Sequence, residues 1–135
     1  MAPKVLTIDI ETFPHKVYSW GLFDQNIGLN QVVEPGRVAC FAAKWLGDSR
    51  VVFKSEFHDG RVDMLIAAHD LIDKADVLVT YNGRSFDAKH LFREFALEGM
   101  DPPSPHHDID LYSAVKGRFR FASNKLQHVA EQFGI

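Results

Sequence analysis

The stretch VLTIDIET, residues 5–12, decides the fold that this sequence predicts. Its β-branched and apolar side chains are typical of a central strand that is buried within a sheet. Side chains two residues apart in a strand point to the same face, so Asp9 and Glu11 are expected to lie next to each other. Two carboxylates so placed resist ionisation unless a cation compensates them. The stretch therefore predicts a site for divalent metal ions. In the alternative, Glu11 lies in solvent at the strand end and Asp9 caps a turn.

The composition predicts one globular domain. The chain has 135 residues, of which 46% are hydrophobic and 24% charged, as in ordinary soluble proteins. Its single cysteine, Cys40, excludes an internal disulfide and a cysteine zinc site. No apolar run approaches the ~20 residues of a membrane helix, and the first residues lack the layout of a signal peptide. We therefore expect a cytoplasmic protein without a membrane partner.

The net charge restricts how the chain could hold nucleic acid. It is -3, whereas proteins that bind duplex DNA by bulk electrostatics are usually basic. Any contact with nucleic acid must therefore be local. Basic side chains at Lys44, Lys89, Lys116, Arg118 and Arg120 are candidates for phosphate contacts, although each alone is typical of a solvated surface charge.

The order of the predicted elements indicates a mixed α/β sheet. Three antiparallel strands come first, and helices alternating with parallel strands follow. After the first strand, the patterns predict strands at residues 16–23, 38–46, 50–57, 76–81 and 107–109. They predict helices at residues 62–72, 110–116 and 124–133, and a further helix that follows a turn at 82–85 and ends at about residue 98. The side chains expected in the core include Trp20, Trp45, Leu91, Phe92, Phe95, Leu126, Val129, Ala130 and Phe133.

A third carboxylate, Asp87, follows a predicted strand and a turn and begins a predicted helix. In sheets of parallel strands, ligands bind in the crevice at the carboxyl ends of the strands. Asp87 is therefore a candidate member of the same site as Asp9. In the alternative, Asp87 only stabilises its helix, because an aspartate in a first helical turn also interacts favourably with the helix dipole.

Together these segments resemble a known family. Asp9-Ile10-Glu11-Thr12 and the later Asn82-Gly83-Arg84-Ser85-Phe86-Asp87 are similar to the first two motifs, Asp-x-Glu-Thr and Asn-x-x-x-Phe-Asp, of the DEDD (DnaQ-like) exonuclease superfamily. Residues 18–22 and 41–46 also resemble its phage and bacterial branch. The resemblance implies a ribonuclease H-like fold and a 3′→5′ exonuclease.

The resemblance implies a role for each residue of the two motifs. Asp9, Glu11 and Asp87 would bind two Mg²⁺ or Mn²⁺ ions, with Asp9 bridging them and Glu11 helping to place the attacking water. The substrate would be the 3′ end of single-stranded DNA, or of RNA, and a replication protein is a further candidate partner. The residues expected to contact the substrate are Thr12, Phe13, Asn82, Arg84 and Phe86. Phe13 would stack on a base, or pack against the protein itself.

The chain departs from the family after residue 125. The third motif should supply a tyrosine or histidine and then an aspartate, yet Glu131 is the only carboxylate after Asp110. We therefore expect residues 1–135 to be a single exonuclease-like domain that is truncated at its C-terminus. Asp108 and Asp110 are weaker candidates to replace the missing carboxylate. His106-His107-Asp108 is interpreted as loop residues, because adjacent side chains on an extended chain diverge.

Three alternatives to a single-strand DNA exonuclease remain open. The domain could bind a nucleic-acid end or a replication protein without cutting. It could be an RNA-directed or structure-selective nuclease of the same fold. It could also be an unrelated α/β protein whose carboxylates are caps and surface groups. The sequence indicates neither the oligomeric state nor the tyrosine or histidine subtype.

Overall fold

The computed structural model describes residues 1–83 and 87–135. No helix within these residues is both long enough and apolar enough to span a membrane. In chain order the elements are β1 (Val5–Phe13), β2 (Lys16–Val17), a short 3-10 helix (Leu29–Gln31), β3 (Val32–Glu34), β4 (Arg37–Trp45), β5 (Val52–Ser55), α1 (Glu56–Asp59), α2 (Arg61–Asp73), β6 (Val77–Thr80), α3 (Asp87–Leu97), β7 (His107–Asp110), α4 (Leu111–Arg118) and α5 (Leu126–Gln132).

The main sheet has the strand order β5-β4-β1-β6-β7. β4 pairs antiparallel with both β5 and β1, whereas β6 pairs parallel with both β1 and β7. This arrangement confirms the predicted mixed α/β sheet of three antiparallel strands followed by parallel ones. It also places β1 at the centre, as its apolar sequence predicts.

Burial alternates along β1. Leu6, Ile8 and Ile10 are at most 4% exposed, and they pack in one cluster with side chains of α2 and α3. Asp9 and Glu11 lie on the opposite, exposed face, as the two-residue period requires. The largest buried side chains of the cluster are Phe41, Phe95, Leu6, Ile8, Met64, Leu65, Ile72, Leu78 and Leu91.

The strand predicted for residues 16–23 is wrong beyond Val17. β2 pairs with β3 in a separate two-stranded sheet, and Trp20 is 98% exposed instead of lying in the core. After Tyr18 the polar groups bond locally: the Ser19 hydroxyl donates to the Gly21 carbonyl at 2.5 Å, and the Gln25 amide donates to the Phe23 carbonyl at 3.0 Å. Such local bonds compete with a sheet ladder, and the strand ends there.

Two more predicted elements differ from those in the structure. The strand predicted to reach residue 57 stops at Ser55, because its hydroxyl accepts the His58 N–H at 3.0 Å and begins α1. In α5 only Val129 is buried, while Leu126 and Phe133 are more than half exposed. The core assignments of Leu91 and Phe95 are confirmed, and Phe92 and Trp45 are partly buried against the core.

A buried carboxylate, Glu94 on α3, fixes this helix to the beginning of β4. The side chain is 1% exposed, and its Oε1 accepts the backbone N–H of Val38 at 2.7 Å. The guanidinium groups of Arg61 and Arg93 contact its two oxygens at 3.3 and 3.2 Å. Hydrogen bonds and two cations thus offset the cost of burying this charge.

We predict that Glu94→Ala destabilises the fold by about 3–5 kcal/mol, because it leaves the buried N–H of Val38 without its acceptor and removes the buried carboxylate that Arg61 and Arg93 share. Glu98→Ala is the matched control, since Glu98 also pairs with Arg61 but is 28% exposed. It should cost less than about 1 kcal/mol. Urea unfolding of the two variants measures both values, and equal losses would contradict the role given to Glu94.

Candidate functional site

The carboxylates of interest meet because β1 and β6 run parallel. Their ladder covers only Val5 to Thr7 on β1, so Asp9 lies in the middle of β1 but beyond the carboxyl end of its pairing with β6. α3 begins at Asp87 a few residues after the carboxyl end of β6. The backbone N–H of Ile10 donates a hydrogen bond to the Asp87 carboxyl group. This contact brings the first turn of α3 against β1.

Asp87 is a buried carboxyl group in an unfavourable electrostatic position. It is 4% exposed, and burial is the largest cause that raises its pKa, to about 7. The nearby charge of Asp9 and a hydrogen-bond contact with the Asp9 carboxyl group raise the pKa further, and the charge of Glu11 adds a smaller effect. The Ile10 N–H opposes these effects. Asp87 therefore holds its proton to a higher pH than an ordinary aspartate does.

The Asp87 carboxyl group also has an unsatisfied oxygen. Its Oδ2 is buried and has no hydrogen-bond partner among the described residues. Hard carboxylate oxygens are the ligands that Mg²⁺ and Mn²⁺ prefer. A divalent cation between Asp9 and Asp87 would satisfy this oxygen and neutralise the repulsion, so the residues present fit such an ion.

The structure brings two of the three predicted metal ligands together. Asp9 and Asp87 are in contact, whereas Glu11 is exposed on the same face of β1 and affects Asp87 only through its charge. Within residues 1–83 and 87–135, no three acidic, histidine or cysteine side chains form a cluster that could hold an ion.

The predicted substrate-binding residues differ in their surroundings. Thr12 is half-buried at the end of β1. Phe13 is 40% exposed, and the Arg37 guanidinium lies 4.6 Å from its ring centroid, which supports the alternative that Phe13 packs against the protein. Asn82 is exposed near the carboxyl end of β6. Arg84 and Phe86 lie outside the described residues.

The turn after β6 depends on two special backbone positions. Asn82 has φ 62°, a left-handed conformation that asparagine tolerates better than most residues. A Cβ atom added to Gly83 would lie 2.3 Å from the Thr80 Cβ, so a larger residue could not fit without a shift of the chain. These requirements explain an Asn-Gly pair before Asp87.

Asp110 has a role that the sequence analysis missed. Its Oδ1 accepts the N–H of Asn82 at 2.7 Å and the N–H of Tyr112 at 3.0 Å, so it both caps α4 and holds the turn after β6. An aspartate at the first residue of a predicted helix was the available signal. Because both donors bind its Oδ1 and fix it as a cap, Asp110 is poorly placed to replace a missing metal ligand.

The histidines near β7 do not gather around a common point. His106 Nε2 lies 3.4 Å from Asp108 Oδ1, and the His106 ring packs near Phe92 with their centroids 6.1 Å apart. His107 is exposed on β7. The interpretation of the three as loop residues is wrong for His107 and Asp108, which lie on β7.

Comparison with known proteins places the fold in a family. Residues 8–135 match the family RNase_H_2, described as RNase_H superfamily. A search of curated proteins gives no significant match. Among solved structures, the chain is similar to a family B DNA polymerase from the hyperthermophilic archaeon Pyrobaculum calidifontis, with a TM-score of 0.72 and 19% identity. The match covers 100% of this chain and 19% of that polymerase chain. The family match covers nearly the whole sequence, and the chain belongs to the RNase_H superfamily.

Proposed function

We propose that this chain is a metal-dependent 3′→5′ exonuclease that removes nucleotides from the ends of single-stranded DNA. The observation that carries the proposal is the contact of the buried Asp87 with Asp9, beyond the carboxyl end of the β1–β6 ladder. Membership of the RNase_H superfamily supports a nuclease-type function, and nucleases of this superfamily typically use divalent metal ions. Similarity to a DNA polymerase is in keeping with a DNA substrate. The 3′→5′ polarity rests on the resemblance to DEDD exonucleases.

The carboxylates have distinct tasks in this proposal. Asp9 and Asp87 would hold the metal, with Glu11 completing the site from the same face of β1. Two divalent ions, when bound, stabilise the attacking and leaving oxygens of an in-line phosphodiester cleavage. Asp87 must give up its proton before its oxygens can act as ligands. Because its pKa is raised to about 7, metal affinity should increase as the pH rises through neutrality.

A second candidate function is a module that holds a nucleic-acid end without cutting it. The observation that favours it is that no third ligand joins Asp9 and Asp87 within the described parts of the chain. Such a module would bind single strands equally well with and without metal and would release no product. Nuclease action directed at RNA or at a particular structure stays within the first proposal and differs only in substrate.

We predict that the chain shortens a 5′-labelled single-stranded DNA from its 3′ end in Mg²⁺ or Mn²⁺ but not in EDTA. Asp9→Ala should lower the rate at least ~100-fold, because metal ions contribute several kcal/mol of charge stabilisation. Asp70→Ala is the matched control, since Asp70 is exposed on α2 and distant in sequence from the site; its rate should stay within about twofold of the unmodified chain.

The products separate the candidate functions. A ladder that starts at the 3′ end supports the exonuclease, and the same ladder from Asp9→Ala would exclude the proposed site. The absence of cleavage by the unmodified chain, together with metal-independent binding of the strand, would favour the holding module. A matching RNA oligonucleotide tests the sugar preference.

We predict that Asp87→Asn stabilises the metal-free protein and that the gain grows with pH. The folded-state pKa of Asp87, about 7, is above the unfolded value of about 4. The folded state therefore binds the proton more tightly, and this group makes the protein less stable as the pH rises from about 4 to 7. Asparagine does not titrate and can donate a hydrogen bond to Asp9.

Thermal unfolding in EDTA at pH 5 and pH 8 measures this effect. Asp70→Asn, an exposed aspartate without a resolved partner among the described residues, is the control and should show little difference at either pH. Adding Mg²⁺ at pH 8 should raise the melting temperature of the unmodified chain but not of Asp87→Asn. A gain that is equal at both pH values would contradict the electrostatic account.

A further inference from the structure

The segment that follows β7 has an unusual charge for this protein. Residues 111–130 contain four lysines and arginines and no aspartate or glutamate, in a chain whose net charge is -3. The four cations are Lys116, Arg118, Arg120 and Lys125, and all are exposed. None of them forms an ion pair with any residue in the described part of the chain. Their charges are therefore available to an external anion.

The segment is attached to the chain that leads from β6 to Asp87. At its start, Asp110 accepts the Asn82 N–H at 2.7 Å. Near its end, the Tyr81 hydroxyl donates to the backbone carbonyl of Asn124 at 2.6 Å. Both contacts are with residues that directly follow β6. The unpaired cations are thus carried on a segment anchored at the same end of the sheet as the Asp9–Asp87 pair.

A cleft of about 460 Å³ lies at this attachment. Its chemistry is mixed: two tyrosine rings, amide and hydroxyl groups, and one ammonium group. The two rings, of Tyr81 and Tyr112, lie 6.0 Å apart at an interplanar angle of 78°. The full lining is Tyr81, Asn82, Tyr112, Ser123, Asn124, Lys125 and Leu126. Aromatic faces beside cations are the features by which proteins hold single-stranded nucleic acid.

More aromatic surface borders the arginines of the segment. The rings of Phe119, Phe121 and Phe133 form a cluster with centroids 5.6 to 6.0 Å apart. Phe119 stands between Arg118 and Arg120 in the sequence and is 51% exposed. Cationic and aromatic side chains therefore alternate over the same surface, as a strand with both phosphates and unpaired bases requires.

We propose that this surface, residues 116–126 with the cleft at Tyr81 and Tyr112, binds single-stranded DNA and guides it to the Asp9–Asp87 pair. The fixed cations contact phosphates, and the tyrosines of the cleft contact unpaired bases. The identity of the strand rests on the proposed function, but the binding itself needs no metal ion. Duplex DNA binds more weakly, because its bases are stacked on each other and cannot reach the tyrosines.

The test measures binding in EDTA with the Asp9→Ala chain, so that cleavage cannot interfere. The probe is a fluorescein-labelled oligothymidylate of about 12 nucleotides, within the range of sites on single-strand-binding folds, and the readout is fluorescence anisotropy over a salt series. The test variant adds Lys116→Gln and Lys125→Gln. The control variant adds Lys4→Gln and Lys74→Gln, two exposed lysines at the opposite end of the sheet, just before β1 and β6.

Both variants lose the same charge from the same residue type, so position alone distinguishes them. The test variant should bind at least about tenfold more weakly, and the slope of log K against log salt should fall by about 1.4, the value for two phosphate contacts on a single strand. The control should stay within about twofold. Equal weakening by both variants, or by neither, would overturn the proposal, as would duplex DNA of the same length binding as tightly as the single strand.

The result of this binding test can be distinguished from the result of the cleavage assay. Binding that depends on Lys116 and Lys125 but is accompanied by no cleavage from the unmodified chain would keep this inference and reject the exonuclease. Cleavage by the unmodified chain, with binding that does not depend on these lysines, would keep the exonuclease and reject this inference. Circular dichroism of each variant checks that the surface changes leave the fold intact.

Discussion

The contact between the carboxyl groups of Asp9 and Asp87 is the constraint on which the functional end of this molecule depends. One of the two is buried, and burial and repulsion together raise its pKa to about 7. A fold selected for stability alone would avoid this arrangement, because an apolar or hydrogen-bonded pair would cost less. The contact follows from the parallel pairing of β1 and β6 and from the start of α3 against β1, which bring the two side chains side by side. The cost is localised beyond the carboxyl end of the β1–β6 ladder, the side of a parallel sheet on which α/β folds bind ligands.

Other carboxylates in the same chain show that the unusual feature of Asp87 is its unsatisfied buried oxygen and not its burial. Glu94 is even less exposed than Asp87, but it accepts a backbone N–H and contacts two arginines. Asp110 accepts two backbone N–H groups. Those two carboxylates hold the framework, with donors on both Glu94 oxygens and on the Oδ1 atom of Asp110. Asp87 keeps a buried oxygen with no partner among the described residues, and that oxygen can take a cation.

Sequence periodicity predicted the parts of the fold that depend on local geometry. The two-residue period of β1 was enough to place Asp9 and Glu11 on one face, and the order of elements was enough for the mixed sheet. Periodicity could not predict the approach of Asp87 to Asp9, because these residues are 78 positions apart in the chain and meet through the β1–β6 ladder. It was expected from the general rule on parallel strand ends and from the family resemblance. The wrong core predictions concern apolar residues at the surface. Trp20, Leu126 and Phe133 have the pattern of core residues, yet a pattern does not show whether another element lies opposite, and all three are more than half exposed.

In the proposed function, this protein of net charge -3 uses two kinds of cation for different tasks: fixed lysine and arginine side chains, and exchangeable metal ions. A phosphate cannot approach Asp9, Glu11 and Asp87 closely unless their charge is neutralised, and lysines placed among them would instead form ion pairs and fill the site. In the proposed function, the side-chain cations lie apart from the carboxylates, so they neither pair with them nor fill the metal site. In that proposal, unpaired side-chain cations on residues 116–125 would attract the strand, and metal ions would neutralise the carboxylates only where the bond is cut. Strand affinity then depends on monovalent salt, whereas cleavage depends on divalent ions and on the proton held by Asp87. A weakly acidic protein can therefore act on a polyanion without an overall positive charge.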